Sequence, residues 1–397
     1  MLIVLRTFAL LTVTLLALEL ALQAAFTHLP PTIVEPMPQY LERFGHRLTT
    51  EHGGREFPAG EAVEYEVTPL SGDLYHISCL SPADAQPLEP YRVSFKRDHR
   101  GFRNVEPWPD DLDLVVLGDS FTAAEHIQRP YWEGVSDSIL VLAAPGTGTL
   151  EQQRYFEAFA RQRNPKRVVL AFFAGNDMND NQLFSDMLRQ GKTRKDRQHE
   201  DKNPLDYSVV FRLLHFISES TTLDGGADCH YPLIAQTDPP APVAFFYKFF
   251  PLLSADKESL LQSEAFKLTR TSISEMATAL GPDEAELIVM YIPAKAELYW
   301  QYLDETSKRT IIAADSRFFH TTNLEEIDVN LSAQRAAMRE LADEIDVSFL
   351  DLTPPLAEVI RAGSSPYFFA DTHWNQTGHN IARNALLDFL NQSNLET

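Results

Sequence analysis

Hydrophobic positions fall along the chain in three different rhythms. Thr7 to Phe26 (TFALLTVTLLALELALQAAF) is an almost unbroken apolar run whose one formal charge is Glu19. From Gln39 to Trp108 the pattern is short and turn-rich, with alternating pieces such as AVEYEV (Ala62 to Val67) and YRVSF (Tyr91 to Phe95) that predict a few β-strands. Beyond residue 110 come aliphatic runs: DLVVL (Asp113 to Leu117), ILVLA (Ile139 to Ala143), RVVLAFF (Arg167 to Phe173), ELIVMYI (Glu286 to Ile292) and VSFLDL (Val347 to Leu352). Runs that are apolar at nearly every position predict strands buried on both faces. Helix-like stretches lie between or after them, at Leu150 to Gln162, Asp256 to Leu280, Ser332 to Glu344 and Gln376 to Leu390. Strand and helix in alternation predict an α/β domain with a parallel sheet and helices on both sides.

These rhythms divide the chain into an apolar end (1–28), a linker and β-containing extension (29–110) and an α/β domain (111–392). The Pro-rich stretch Leu29 to Pro38 reads as a stiff spacer. An insertion at about 181–284 interrupts the strand-helix alternation. It follows the end of a strand, where such sheets place their ligands, and so reads as a cap over the site. Its basic cluster Arg189, Lys192, Arg194, Lys195 and Arg197 reads as a solvated loop.

As a helix, the apolar run would reach roughly 30 Å, about one bilayer core. Arg6 stands before it and no Lys or Arg follows until Arg43, an asymmetry that puts the bulk of the chain outside the cytoplasm. Glu19 near mid-helix would cost about 2–3 kcal/mol on insertion scales. Two readings stay open. One is an uncleaved signal-anchor that tethers an extracytoplasmic, periplasmic domain to the membrane. The other is a signal peptide whose apolar core ends before Glu19, giving a secreted protein; Ala24 and Ala25 match an A-x-A site poorly, because Leu22 takes the outer position.

Composition narrows the partners. The 397 residues carry 34 Lys+Arg against 56 Asp+Glu, a formal charge of −22, with 44% hydrophobic residues. That balance excludes a disordered tail or a disulfide-stapled miniprotein and argues against nucleic acid, which is held by cationic side chains that displace counterions. It also disfavours adhesion to anionic lipid through charge. Cys79 and Cys229 show no metal spacing; a disulfide between them and two buried thiols both fit.

Small and polar residues gather at the strand ends. The first run continues into Gly118-Asp119-Ser120-Phe121, where a serine at a tight strand-to-helix turn can expose its hydroxyl beside backbone N–H groups suited to an oxyanion. Equally, such a serine is an ordinary helix cap. The second run leads into Pro145-Gly146-Thr147, where a glycine lets backbone approach a ligand, or simply turns. The third ends Gly175-Asn176-Asp177, whose Asn amide can donate to an oxyanion or serve a turn. Near the C-terminus, Asp371-Thr372-His373 sets an acid and an imidazole two residues apart, so the carboxylate can hold one ring nitrogen while the other deprotonates Ser120. Against this stands a helix start with Asn375 as cap. Glu125, His126 and His379 are the alternative partners for Ser120.

Taken together, GDSF, the glycine of PGTGT, GND and DTH resemble the Ser, Gly, Asn and Asp/His blocks of the SGNH (GDSL-type) hydrolase superfamily, over most of Asp113 to Leu390. The resemblance implies a three-layer α/β/α flavodoxin-like fold. It also implies Ser120 as nucleophile, His373 as base and then acid, Asp371 as its orienting partner, and an oxyanion hole of Ser120, Gly146 and Asn176, with no cofactor and no metal. The D-x-H-W-N ending departs from the D-x-x-H of ordinary lipases and looks more like the membrane-anchored branch that includes the alginate O-acetylation proteins. Gly101-Phe102-Arg103-Asn104 and Ile292-Pro293-Ala294-Lys295 look like segments of that branch as well. The expected activity is therefore that of an esterase or O-acetyltransferase on an acylated carbohydrate or small ester. Its rivals are a non-catalytic glycan-binding or assembly protein on the same scaffold, and a lipase.

Overall fold

The computed structural model describes residues 2–29, 31–34, 37–39, 57–74, 80, 82–192, 202–223, 232–281, 285–316 and 323–393. Cys79 and Cys229 lie outside them, as do Arg194, Lys195 and Arg197.

All five aliphatic runs form one parallel sheet. Its strands are β3 (Leu114–Gly118), β4 (Ile139–Ala143), β5 (Arg167–Phe173), β8 (Glu286–Ile292) and β9 (Ser348–Asp351), in the order β4-β3-β5-β8-β9. Counted within the sheet, that order is 2-1-3-4-5, the flavodoxin-like doubly wound arrangement. The order reverses between β3 and β5, so a crevice opens beyond their C-terminal ends. Val115, Val116, Leu117 and Val168 to Phe172 are buried on both faces, which is why these strands lack polar alternation.

Crossover helices cover the sheet. They include α2 (Ser120–Ala123), α3 (Thr149–Tyr155), α4 (Asp177–Arg189), α6 (Glu264–Leu280), α7 (Lys295–Tyr299), α8 (Ala333–Glu344), α9 (Thr353–Arg361) and α10 (Gln376–Ser393). The stretch predicted as one helix from Asp256 breaks at Ser263, which turns extended (φ −65°, ψ 148°) and caps α6 by accepting from the Phe266 N–H. Thus α6, placed by sequence in the cap, packs on α3, α4 and β8 and belongs to the body.

The extension forms an antiparallel pair, β1 (Ala62–Val67) and β2 (Tyr91–Lys96), and the insertion forms another, β6 (Leu233–Ala235) and β7 (Ala241–Val243). Beyond β2, Asn104 grips the exposed edge of the main sheet: its side chain donates to the Val141 carbonyl and accepts from the Val141 N–H. Such cover protects an edge strand from foreign pairing. Arg103 donates to the carbonyls of Ala124 and Ile127, just past the Ser120 turn.

The N-terminal helix α1 (Leu2–Ala24) keeps Leu10, Leu11, Leu16 and Leu20 exposed. Among the described residues no helix is long and apolar enough to cross a membrane, so the transmembrane segment expected from the sequence is not found there. Glu19 has a different use. Its carboxylate accepts from the Ser208 hydroxyl and from the N–H groups of Val209 and Val210, at the start of α5 (Val209–Leu223). The first N–H groups of a helix have no partner within it, and Glu19 supplies one from outside. The expected stiff spacer is also corrected: Ile33, Val34 and Met37 are buried with Phe26 and Val209, because their apolar side chains find a core there. This part of the insertion rests on α1 rather than on the strand ends.

Candidate active site

The Ser120 turn is built locally. At Gly118 a Cβ would lie 2.1 Å from the Thr122 hydroxyl, so only glycine lets β3 turn this tightly into α2. Asp119 caps α2 by accepting from the Phe121 N–H at 2.9 Å. The Gly118 carbonyl accepts from the Ala144 N–H, which ties the turn after β4 to the end of β3. Gly146 lies in that turn with φ +66°, a left-handed conformation that glycine adopts without strain.

Asp371, His373 and Ser120 come together as a chain. Asp371 Oδ1 lies 2.5 Å from His373 Nδ1, and His373 Nε2 lies 2.7 Å from Ser120 Oγ. Asp371 also accepts from the His373 N–H, which sets the loop between them. The carboxylate accepts a hydrogen bond from Nδ1–H, so that in the neutral imidazole Nε2 is the nitrogen left to accept from the serine hydroxyl. Phe121 packs on the imidazole with centroids 4.9 Å apart, and fully buried Trp374 stands behind Phe121.

Electrostatics follow from burial and neighbours. Burial works against an imidazolium at His373, but the Asp371 carboxylate, helped by Asp73 and Asp119, outweighs it and raises the imidazole to about 9. Burial likewise works against charge on Asp371, and His373 overcomes it to hold that carboxyl well below the usual range. Asp119 is pushed up to about 6, chiefly by burial.

Asn176 follows β5 at the same edge, but its amide is partly engaged: Nδ2 donates to Asp180 Oδ2 at 2.8 Å. An amide nitrogen carries two hydrogens, so one remains for a ligand. Burial and the charges of Asp119 and Asp180 push Asp177 well above the carboxylate range.

The alternative partners are placed elsewhere. Glu125 pairs with Arg97 at 2.6 Å. His379 is core: its Nδ1 accepts from the Tyr131 N–H, and burial keeps the ring neutral. His126 stands beside the chain, 5.2 Å from the His373 ring, and burial lowers it to about 4. Together His126, Asp371 and His373 present ligand-type atoms within 4.8 Å of one another, the one such group among the described residues. A metal there would compete with the Asp371–His373 bond. Asn375 does cap α10, accepting from Thr377 and Gly378. The Asn375 cap and the Asp371–His373 contact are both present.

Several residues at the site carry no sequence signal of their own. Lys295 Nζ donates to the carbonyls of Phe368 and Phe369 at 2.8 Å and of Asp371 at 3.2 Å. Asp73 accepts from the Thr372 N–H at 3.0 Å and hydroxyl at 2.6 Å. Burial and the Asp371 charge push Asp73 up to about 7. Phe246 and Ala244 of the insertion pack with Leu74, Leu80, Phe369 and Ala370, so part of the insertion borders the loop that carries Asp371 and His373.

No family model and no curated protein matches the chain. Among solved structures it is similar to a GDSL-like lipase from Bacteroides thetaiotaomicron, at 10% identity over 70% of this chain and 88% of that one, with a TM-score of 0.32. It is similar to the lipase/acylhydrolase from Enterococcus faecalis at 12% identity, over 70% and 95% of the two chains, with a TM-score of 0.33. A mutant acetyl-xylooligosaccharide esterase from Geobacillus matches at 14% identity, over 69% and 92%, with a TM-score of 0.33.

Proposed function

We propose that this chain is an SGNH-type serine esterase or O-acyltransferase, with Ser120 as nucleophile, His373 as general base and then acid, and Asp371 as the group that orients the imidazole. The observation that carries this reading is the unbroken relay of 2.5 and 2.7 Å from carboxylate to serine hydroxyl. Ser120 attacks an ester carbonyl as His373 Nε2 takes its proton. N–H donors of Ser120, Gly146 and the Asn176 amide serve the oxyanion. His373 returns the proton to the leaving alcohol, and the acyl-enzyme passes to water or to an acceptor hydroxyl.

The D-x-H-W-N ending supports acyl groups on carbohydrate as the substrate class. Arg6 ahead of the apolar α1 supports export, with the catalytic part outside the cytoplasm.

Incubation with an acetyl-ester reporter, with and without an oligosaccharide acceptor, tests the reaction class. Accumulating acetate marks a hydrolase and acetylated sugar marks a transferase. Neither product from folded protein would refute both. Fractionation of cells making the full chain tests location, and recovery wholly in the cytoplasm would contradict export.

A further inference from the structure

Inside the loop that carries Asp371 and His373, the His373 N–H donates to Asp371 and the Phe368 N–H to the His373 carbonyl, but most of its other backbone partners lie outside it. The carbonyls of Phe368, Phe369 and Asp371 all accept from the single ammonium of Lys295. The Ala370 carbonyl accepts from the Leu74 N–H at 3.0 Å. The Phe369 N–H donates to the Gln86 side chain at 3.2 Å, and the Thr372 N–H donates to Asp73. Three of these four partners, Leu74, Gln86 and Asp73, come from the extension before β3. Contact is close enough that a Cβ at Gly72 would meet the Ala370 carbonyl at 2.1 Å.

Lys295 is an expensive way to satisfy carbonyls. Its side chain is only 5% exposed, and burying an ammonium is unfavourable unless its donors are all used. Here all three are; burial lowers the ammonium to about 7, and the neighbouring Asp371 and Asp73 charges work against that loss. Those two carboxylate residues meet at the loop, where the Asp73 N–H points to Asp371 Oδ2 at 3.4 Å.

We propose that Lys295 and Asp73 are positioning residues that hold residues 368–373 in the one conformation from which Asp371 and His373 reach Ser120, making the extension a working part of the catalytic site. This rests on Ser120 being the nucleophile. Neither residue touches substrate. Each acts through the loop, and a displacement of His373 by about 1 Å costs on the order of 10²-fold in rate.

The test uses the full chain and four variants: Lys295→Met, Asp73→Ala, Thr372→Val and the conservative Thr372→Ser. Turnover of an acetyl ester, the rate of Ser120 modification by a fluorophosphonate, and the downfield proton resonance of the Asp371–His373 bond are measured on each. Lys295→Met, Asp73→Ala and Thr372→Val are expected to lose about 10²-fold in kcat and labelling with KM within about twofold, and to shift or broaden the resonance. Thr372→Ser, which keeps the hydroxyl bonded to Asp73, recovers most of the loss. Should Lys295→Met fail to fold, Thr372→Val decides, since it removes one hydroxyl and no charge. Folded variants with unchanged labelling and an unchanged resonance overturn the proposal. A wild-type chain that takes no label counts against Ser120 alone; the loop is then judged by the resonance, whose loss in Thr372→Val supports the clamp and whose persistence overturns it.

Discussion

Ser120 and His373 meet at 2.7 Å, yet the two sides of that contact are made in opposite ways. The serine side is mostly local: Gly118 permits the turn, Asp119 caps α2, and Thr122 packs against Gly118, with Arg103 of the extension and Ala144 tying it from outside. The histidine side is assembled at a distance, by Lys295 from the end of β8 and by Asp73 and Gln86 from the extension. A locally encoded turn forms whenever its strand does. A loop pinned by distant groups needs those groups in place, so Ser120 and His373 depend to different degrees on the rest of the fold.

The largest expected effect is on the serine side. Ser120→Ala removes the proposed nucleophile and should cost about 10⁶-fold in acetyl-ester turnover, with the melting temperature little changed. A residual rate within tenfold of wild type would mean that another group does the chemistry. Next, Asn176→Ala should lower kcat by about 10²–10³-fold. Because Asp180 already holds one amide hydrogen, Asp180→Asn is the companion measurement; a larger loss there than in Asn176→Ala would mean that orientation of the amide outweighs its donation.

The histidine side is sharpened by pH. With His373 raised to about 9 by Asp371 against burial, the imidazole is protonated at neutral pH and cannot accept the serine proton. Labelling of Ser120 should therefore rise about tenfold per pH unit below that value and level off above it. A profile flat from pH 6 to 9 would contradict the paired imidazole.

Smaller effects separate stability from chemistry. Gly118→Ala forces a Cβ against Thr122, which is itself held by Tyr131, and should destabilise by about 1–3 kcal/mol in chemical denaturation. Glu19→Ala removes the acceptor at the start of α5 and should cost about 0.5–2 kcal/mol in local stability, read by hydrogen exchange at Val209 and Val210, with labelling unchanged. Loss of labelling in Glu19→Ala would tie the N-terminal helix to the catalytic edge.

The same contrast governs what could be read from sequence. All five sheet strands were legible because double burial leaves continuous aliphatic runs, and Ser120 stood out because it follows such a run. Asp371 and His373 could be paired because they are two residues apart. Asp73 could not, since a single aspartate in a turn-rich stretch has no spacing to mark it, and the Thr372 it binds is 299 residues away. Lys295 stood out only as part of a recurring segment, while its carbonyl partners lie 73 to 76 residues further on. Glu19 was misread for a related reason: an acid in an apolar run was weighed against lipid, whereas its partners are the N–H groups of a helix in the insertion.

The relay from Asp371 through His373 to Ser120 is tested most directly by peptide mapping of the folded chain after reaction with a fluorophosphonate at pH 9. A single adduct on Ser120, absent when His373 is replaced by alanine, is the expected result. Folded protein with no adduct on Ser120, or an adduct that forms equally fast without His373, would contradict it.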